Sequence, residues 1–293
     1  VGISRYPATV TMPRIEPPFP SILGFLCQRF PQVDPSRWER RIAEGKVLGE
    51  DGRPLSTDSP YLPQKRIHYF REVEQEPVIP FTEEILFQND ELLVACKPHF
   101  LPVTPGGRYV DQCLLHRLRK STANDDLVPL HRIDRETAGI VLFSVNKETR
   151  ARYNDLFLSG NIRKTYHALS AGAGDTSAKA WLIENRIVPG EPWFRMKTEP
   201  GAVNARSRIE LVQVRDGLAH FRLSPETGKT HQLRVHLSSL GFGILNDRYY
   251  PALQEERADD FASPLQLLAK RVQFRDPMTG KALEFESGRK LLW

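Results

Sequence analysis

The stretch His131-Arg132-Ile133-Asp134-Arg135-Glu136-Thr137-Ala138-Gly139 sets one carboxylate between two arginines, directly ahead of the apolar run Ile140-Val141-Leu142-Phe143. A neighbouring guanidinium favours the charged form of a carboxylate, so Asp134 is expected to stay ionised even when partly buried, and to serve as a nucleophile or a base. The plainer reading of an aspartate between arginines is a turn cap or a salt bridge leading into a strand. Further polar stretches downstream favour chemistry. In Lys164-Thr165-Tyr166-His167-Ala168 the alternation of a strand places Lys164, Tyr166 and Ala168 on one face, so a phenol and an ammonium point the same way. Thr227-Gly228-Lys229-Thr230-His231-Gln232-Leu233-Arg234-Val235-His236 reads as a polar loop feeding an amphipathic helix whose buried side is Leu233, Leu237 and Leu240.

Two familiar chemistries are excluded by spacing. His131 to Asp134 is not the catalytic loop of a protein kinase, because Ile133 displaces the acid, no Asp-Phe-Gly follows and no glycine-rich loop precedes. Thr227-Gly228-Lys229-Thr230 ends like a phosphate-binding loop, but Leu223 stands where the first glycine belongs. His231 and His236 are five apart, which does not stack both on one helical face, so they are read as structural histidines and no metal is expected.

The elements that must position these groups follow from pattern. A length of 293 residues suggests two domains. Residues 1–20, rich in proline and without periodicity, are expected to form an extended arm. Ser21 is placed as the N-cap of a helix carrying Ile22, Leu23, Phe25, Leu26 and Phe30, ended by Pro31; a second helix from Pro35 to Ile42 is closed by Gly45. Residues 21–76 make a small first domain, a linker follows, and 81–293 make the second. In the second, hairpins are expected at Asn89-Asp90, Asp216-Gly217 and Asp276 to Gly280, with Gly172 and Gly174 ending the Tyr166 strand.

Lys plus Arg number 41 against 36 Asp plus Glu, a net charge of +5 spread along the chain, which is mild support for a polyanionic partner. No stretch of about 18 apolar residues is present to span a membrane. No charged-then-apolar segment opens the sequence, and the three cysteines, Cys27, Cys96 and Cys113, are odd in number and widely spaced; these features suit a reducing cytoplasm.

Phe25-Leu26, Trp38, Arg41-Ile42, Gly45-Lys46-Val47 and Asp51-Gly52 resemble the small RNA-binding module known as the S4 domain. That resemblance implies an α/β module whose Arg37, Arg40, Arg41 and Lys46 face phosphate, although charges on a small helix are more often a solvated face. Asp90 to Pro98, His131 to Gly139, Lys164 to Ala168, and Thr227 to His236 with Asp247-Arg248-Tyr249-Tyr250 together resemble the pseudouridine synthase family that includes the RluA group.

What the second resemblance implies is an α+β catalytic domain with a mixed, mainly antiparallel sheet, acting on ribosomal or transfer RNA as a monomer and without a cofactor. It implies that Asp134 is the essential aspartate, Tyr166 the active-site tyrosine and Arg234 the arginine that pairs with the aspartate. Arg132, Lys97, Lys164 and Lys229 are expected to bind substrate RNA. Lys229 stands where many members have arginine, which keeps the charge and loses the bidentate fork, and Ala138 where many have serine. Isomerising uridine breaks N1–C1′, turns the base and joins C5 to C1′; an ionised carboxylate beside the sugar either attacks C1′ or removes a proton at C2′. Two rivals are a non-catalytic RNA-binding or assembly protein that kept the fold, and a carboxylate-using glycoside hydrolase, which lacks a second acid partnered with Asp134.

Overall fold

The computed structural model describes residues 2–4, 6–171 and 177–292. The chain divides into two compact units, Val1–Pro77 with Gly106–Asp111, and Val78–Pro105 with Gln112–Trp293. Residues 106–111 group with the first unit because Glu76 Oε1 accepts from the backbone N–H of Val110 and Asp111, while Arg71 donates to the Gly107 carbonyl.

The first unit runs β1 (Gly2–Ile3), β2 (Ala8–Thr11), α1 (Ile22–Arg29), α2 (Pro35–Ala43), β3 (Val47–Leu48), β4 (Arg66–Tyr69) and β5 (Glu72–Val73). Ser21 caps α1 by accepting from Gly24 N–H, and Asp34 caps α2, whose first residue, Pro35, has no N–H to leave unpaired. Both helices bury their apolar sides around Phe25, Leu26, Trp38 and Ile42, closed by Met12, Val47 and Ile67. Within the stretch expected as an extended arm, residues 8–11 and 2–3 form strands: β2 pairs with β4 in the sheet order β2-β4-β3, and β1 pairs with β5. The β-branched run Thr9-Val10-Thr11 competes successfully with the prolines around it.

The second unit continues with β6 (Glu84–Gln88), β7 (Leu92–Lys97), α3 (Leu114–Thr122), β8 (Val128–Pro129), β9 (Ala138–Ser144), α4 (Arg150–Leu158), β10 (Ile162–Ala171), β11 (Ala180–Pro189), β12 (Met196–Glu199), β13 (Ala205–Arg215), β14 (Leu218–Pro225), α5 (Gln232–Ser239), β15 (Leu267–Arg275) and β16 (Ala282–Glu286). One sheet has the order β12-β11-β13-β14-β10-β15-β9-β7-β6, with β16 on β15 and β8 on β9. The pairing of β9 with β15 is parallel and the other pairings in the sheet are antiparallel, a mixed, mainly antiparallel sheet as expected. Asp216-Gly217 makes the two-residue turn between β13 and β14 with both residues at positive φ, the backbone a tight hairpin requires. Gly172 and Gly174 lie outside the described residues.

Two features of this sheet place the candidate site. First, the strand after Asp134 is an interior one: β9 is buried along its whole length between β7 and β15. Gly139, at φ +113°, sits where β9 meets β15, and a Cβ there would lie 2.2 Å from the Ala269 carbonyl oxygen. Only glycine lets the two backbones approach so closely. Second, α5 is buried from Gln232 to Leu237 and not only along its Leu233, Leu237, Leu240 side, so its polar residues must find partners inside the protein.

Candidate active site

Arg234 is one of the polar residues buried on α5, and it is 2% exposed. Its Nε and Nη2 donate to Asp247 Oδ2 and Oδ1 at 2.8 and 2.6 Å, a bidentate pair, while Nη1 donates to Asp134 Oδ2 at 3.2 Å. Tyr249 and Tyr250 flank the guanidinium, with ring centroids 4.9 and 5.4 Å from its central carbon. Burial alone would lower the Arg234 pKa; Asp247, then Asp134 and Glu136, raise it above its usual value, so the group is a fixed cation. Asp247 Oδ1 also accepts from the N–H groups of Tyr249 and Tyr250, so this one acid both builds the turn after α5 and fixes the arginine.

Asp134 is 23% exposed on a loop that enters β9. The arginines that flank it in sequence do not hold it. Arg132 is exposed and without an ion-pair partner among the described residues, and Arg135 makes a bidentate pair with Asp259 at 2.8 and 2.9 Å and a bond to Glu136. The cation on Asp134 comes instead from Arg234, 100 residues further on.

Lys97 was expected among the RNA contacts and is fully buried. Its Nζ donates to the carbonyls of Pro98, Leu101 and Arg135 at 3.0, 2.6 and 3.0 Å, so its three protons are committed inside the protein. Burial pushes its pKa down to about 7, against the pull of Glu136 and Asp134. It ties the Asp134 loop to the end of β7 and offers RNA no charge. His131 does similar work at the other end of the loop: its Nε2 accepts from Leu142 N–H at 3.1 Å and its ring stacks on Phe157.

Tyr166 lies on β10, where the register with β15 shifts between Thr165 and Tyr166 because β15 carries one extra residue, Lys270, there. Burial, and then the charge of Asp134, raise the Tyr166 pKa, so the phenol is neutral and close enough to Asp134 to feel it. Lys164, half-buried with its pKa lowered by burial, and Lys229, exposed beside Gly228, have no ion-pair partner among the described residues. The Lys229 loop is held from below: Gln232 Oε1 accepts from Thr227 Oγ1 and Lys229 N–H, and Gln232 Nε2 donates to the Arg206 carbonyl and Ser207 Oγ. His236 pairs with Asn185 and His231 faces Tyr250, so the two histidines go to different partners.

In the first unit the expected phosphate-facing set is largely spent internally. Arg41 is buried, with its guanidinium 4.8 Å from the Trp38 ring and an ion pair to Glu72 at 3.3 Å; Lys46 pairs with Glu72 and Glu44. Both thus have acid partners within the unit. Arg37 sits on the surface, bonded to the exposed Glu74, and Arg40 is exposed.

The histidines give a pH prediction. Burial lowers the pKa of His131 to about 3 and of His236 to about 4, from 6.5. An unfolded chain therefore takes up these protons near 6.5 while the folded chain does not, and stability falls as pH drops below that value. The expected loss is about 1.4 kcal/mol per pH unit for each histidine. Urea midpoints measured between about pH 6.5 and about pH 5, above most carboxylate titration, check this; a flat midpoint means that both histidines titrate alike in the two states.

Asp247, Gln232 and Glu136 were missed by reading the sequence, although Asp247 opens the Asp-Arg-Tyr-Tyr run and the other two lie inside motifs. An acid shortly after a helix that carries a buried arginine is the signal that was available. The arrangement is thus a carboxylate on a pinned loop, one oxygen held by a fixed cation, with a neutral phenol nearby.

Comparison with known proteins identifies the family. The family model described as RNA pseudouridylate synthase matches residues 91–239, just over half of the chain. The dual-specificity RNA pseudouridine synthase RluA of Escherichia coli is 30% identical over 209 residues, covering 69% of this chain and 91% of that protein. The ribosomal large subunit pseudouridine synthase C of Yersinia pestis is 28% identical over 283 residues, covering 90% and 87%. Among solved structures, human RNA pseudouridylate synthase domain containing 1 superposes with a TM-score of 0.59 at 21% identity, over 73% of this chain and 86% of that one, a likeness of fold. On the family match and these relatives, the chain belongs to the RNA pseudouridylate synthase family.

Proposed function

We propose that this enzyme isomerises uridines in structured ribosomal or transfer RNA, with Asp134 as its essential carboxylate. The observation that carries the reading is the chain Asp134–Arg234–Asp247: a buried acid fixes an arginine, and the arginine holds one oxygen of a partly exposed carboxylate. Arg234 keeps Asp134 oriented, which attack at C1′ and abstraction at C2′ both require. The neutral Tyr166 offers its ring to the uracil and its hydroxyl to the edge that exchanges protons, since C5 loses one and N1 gains one. The sum of atoms is unchanged.

A base stacked in a helix cannot reach Asp134, so the target must leave the stack at a cost of a few kcal/mol. Arg132 is exposed beside Asp134 and takes the place of the departed base, and Lys164 and Lys229 meet phosphate. Positive charge without internal partners supports these roles. The test is a site-by-site pseudouridine map of ribosomal and transfer RNA treated with the purified protein; a map identical to that of untreated RNA sinks the reading.

The first unit is proposed to add phosphate contacts, as an S4-like module would, through Arg37 and Arg40 on α2. Replacing both by alanine is expected to weaken RNA binding and lower the slope of log affinity against log salt by roughly 0.7–0.9 for each phosphate no longer neutralised. A salt titration with an unchanged slope would restrict RNA binding to the second unit.

A further inference from the structure

His231 has no role in the proposed chemistry, yet its surroundings are built. It is the N-cap of α5 in a left-handed backbone conformation, φ +54° and ψ 15°, which a residue with a side chain adopts uncommonly. The side chain makes no capping bond to the helix. Instead the ring is turned inward, its centroid 5.7 Å from that of Tyr249 and 5.6 Å from that of Tyr250.

The partners of Tyr250 assign the proton to one nitrogen. Tyr250 Oη accepts from Met196 N–H at 2.7 Å, and among the described residues its own proton has one acceptor, His231 Nδ1, at 3.0 Å. With Nδ1 accepting, the neutral imidazole carries its hydrogen on Nε2. Nε2 faces Asp134 Oδ1 at 3.9 Å, too far for a hydrogen bond and close enough for one oxygen atom to bridge the two. Asp134 Oδ2 is taken by Arg234, so Oδ1 is the oxygen left to react, and it accepts no bond among the described residues.

We infer that His231 is a substrate-binding residue whose Nε2–H holds the ribose 2′-hydroxyl of the target uridine against Asp134 Oδ1. The inference rests on the reading of Asp134 as the reacting carboxylate. Whether Oδ1 approaches C1′ or the hydrogen on C2′, the 2′-oxygen is the sugar hydroxyl nearest to it. That oxygen accepts from His231 Nε2–H and turns its own hydrogen to Oδ1. The 2′-hydroxyl is the group by which a protein distinguishes RNA from DNA, and a donor placed here makes the distinction at the reacting sugar itself.

The test couples one side chain to one substrate atom. The substrate is the synthetic stem-loop RNA of the strongest mapped site, made with uridine or with 2′-deoxyuridine at the target position. Wild type, His231→Ala and His231→Gln are compared by kcat/KM on both. Alanine and glutamine share the cost of the left-handed backbone, while the glutamine amide nitrogen reaches the place of Nε2, so the difference between them reads the donor.

Wild type is expected to prefer the ribose substrate by roughly 10- to 100-fold, His231→Ala to lose most of that preference, and His231→Gln to recover part of it. An alanine variant that slows both substrates by the same factor, or neither, overturns the inference. Turnover of the ribose substrate by wild type is a separate number and carries the reading of Asp134, so an active enzyme with no coupling at position 231 removes the role of His231 alone.

Discussion

Asp134→Asn is expected to fold as wild type does, to bind RNA with nearly unchanged affinity and to lose turnover by at least about ten-thousand-fold, the scale on which removal of a reacting group acts. The amide is isosteric and its oxygen still accepts from Arg234 Nη1, so the loop and the buried arginine keep their geometry. What disappears is a charged oxygen able to attack carbon or take a proton. Single-turnover assays beside a binding titration measure the two effects separately. An Asn variant that turns over within ten-fold of wild type would return Asp134 to the plainer role of a turn residue.

Arg234→Met should cost both stability and activity. Methionine fills the volume but leaves Asp247, which is buried, as an uncompensated charge; breaking a buried pair in this way costs roughly 3–5 kcal/mol. Adding Asp247→Asn neutralises that charge and keeps an oxygen for the N–H groups of Tyr249 and Tyr250. The double variant is therefore expected to regain most of the lost stability in urea denaturation and none of the activity, because Asp134 still lacks its cation. Recovered turnover in the double variant would make Arg234 a structural residue only.

The distance over which an inference must reach separates what was legible in the sequence from what was not. Caps and turns are local: Ser21, Asp216-Gly217 and the apolar run after Asp134 depend on residues a few positions apart, and they stand as expected. Asp134, Tyr166 and Arg234 were visible through motifs, and the structure brings these three into one region. Whether a charge is spent inside the protein is not local. Lys97 before Pro98 looks like a surface cation and is enclosed by three carbonyls; Arg41 and Lys46 look like one basic face with Arg37 and are taken by Glu72. Asp247 acquires its role only when the turn after α5 folds back on Arg234. The strand at Ala8–Thr11 was hidden differently, by prolines whose local preference outweighed a short β-branched run.

The ion pairs around the candidate site are long in sequence: Asp134 meets Arg234 across 100 residues, and Arg135 meets Asp259 across 124. Such contacts close large loops of the chain and reward folding late. During synthesis the Asp134 loop emerges well before α5 and before Asp259, so a nascent chain carries the carboxylate with neither the cation that orients it nor the clasp on its neighbour. On the proposed reading of Asp134, a polypeptide still being made thus has no working centre, although it is surrounded by ribosomal and transfer RNA. Activity is then expected to begin only when nearly the whole second unit has been translated.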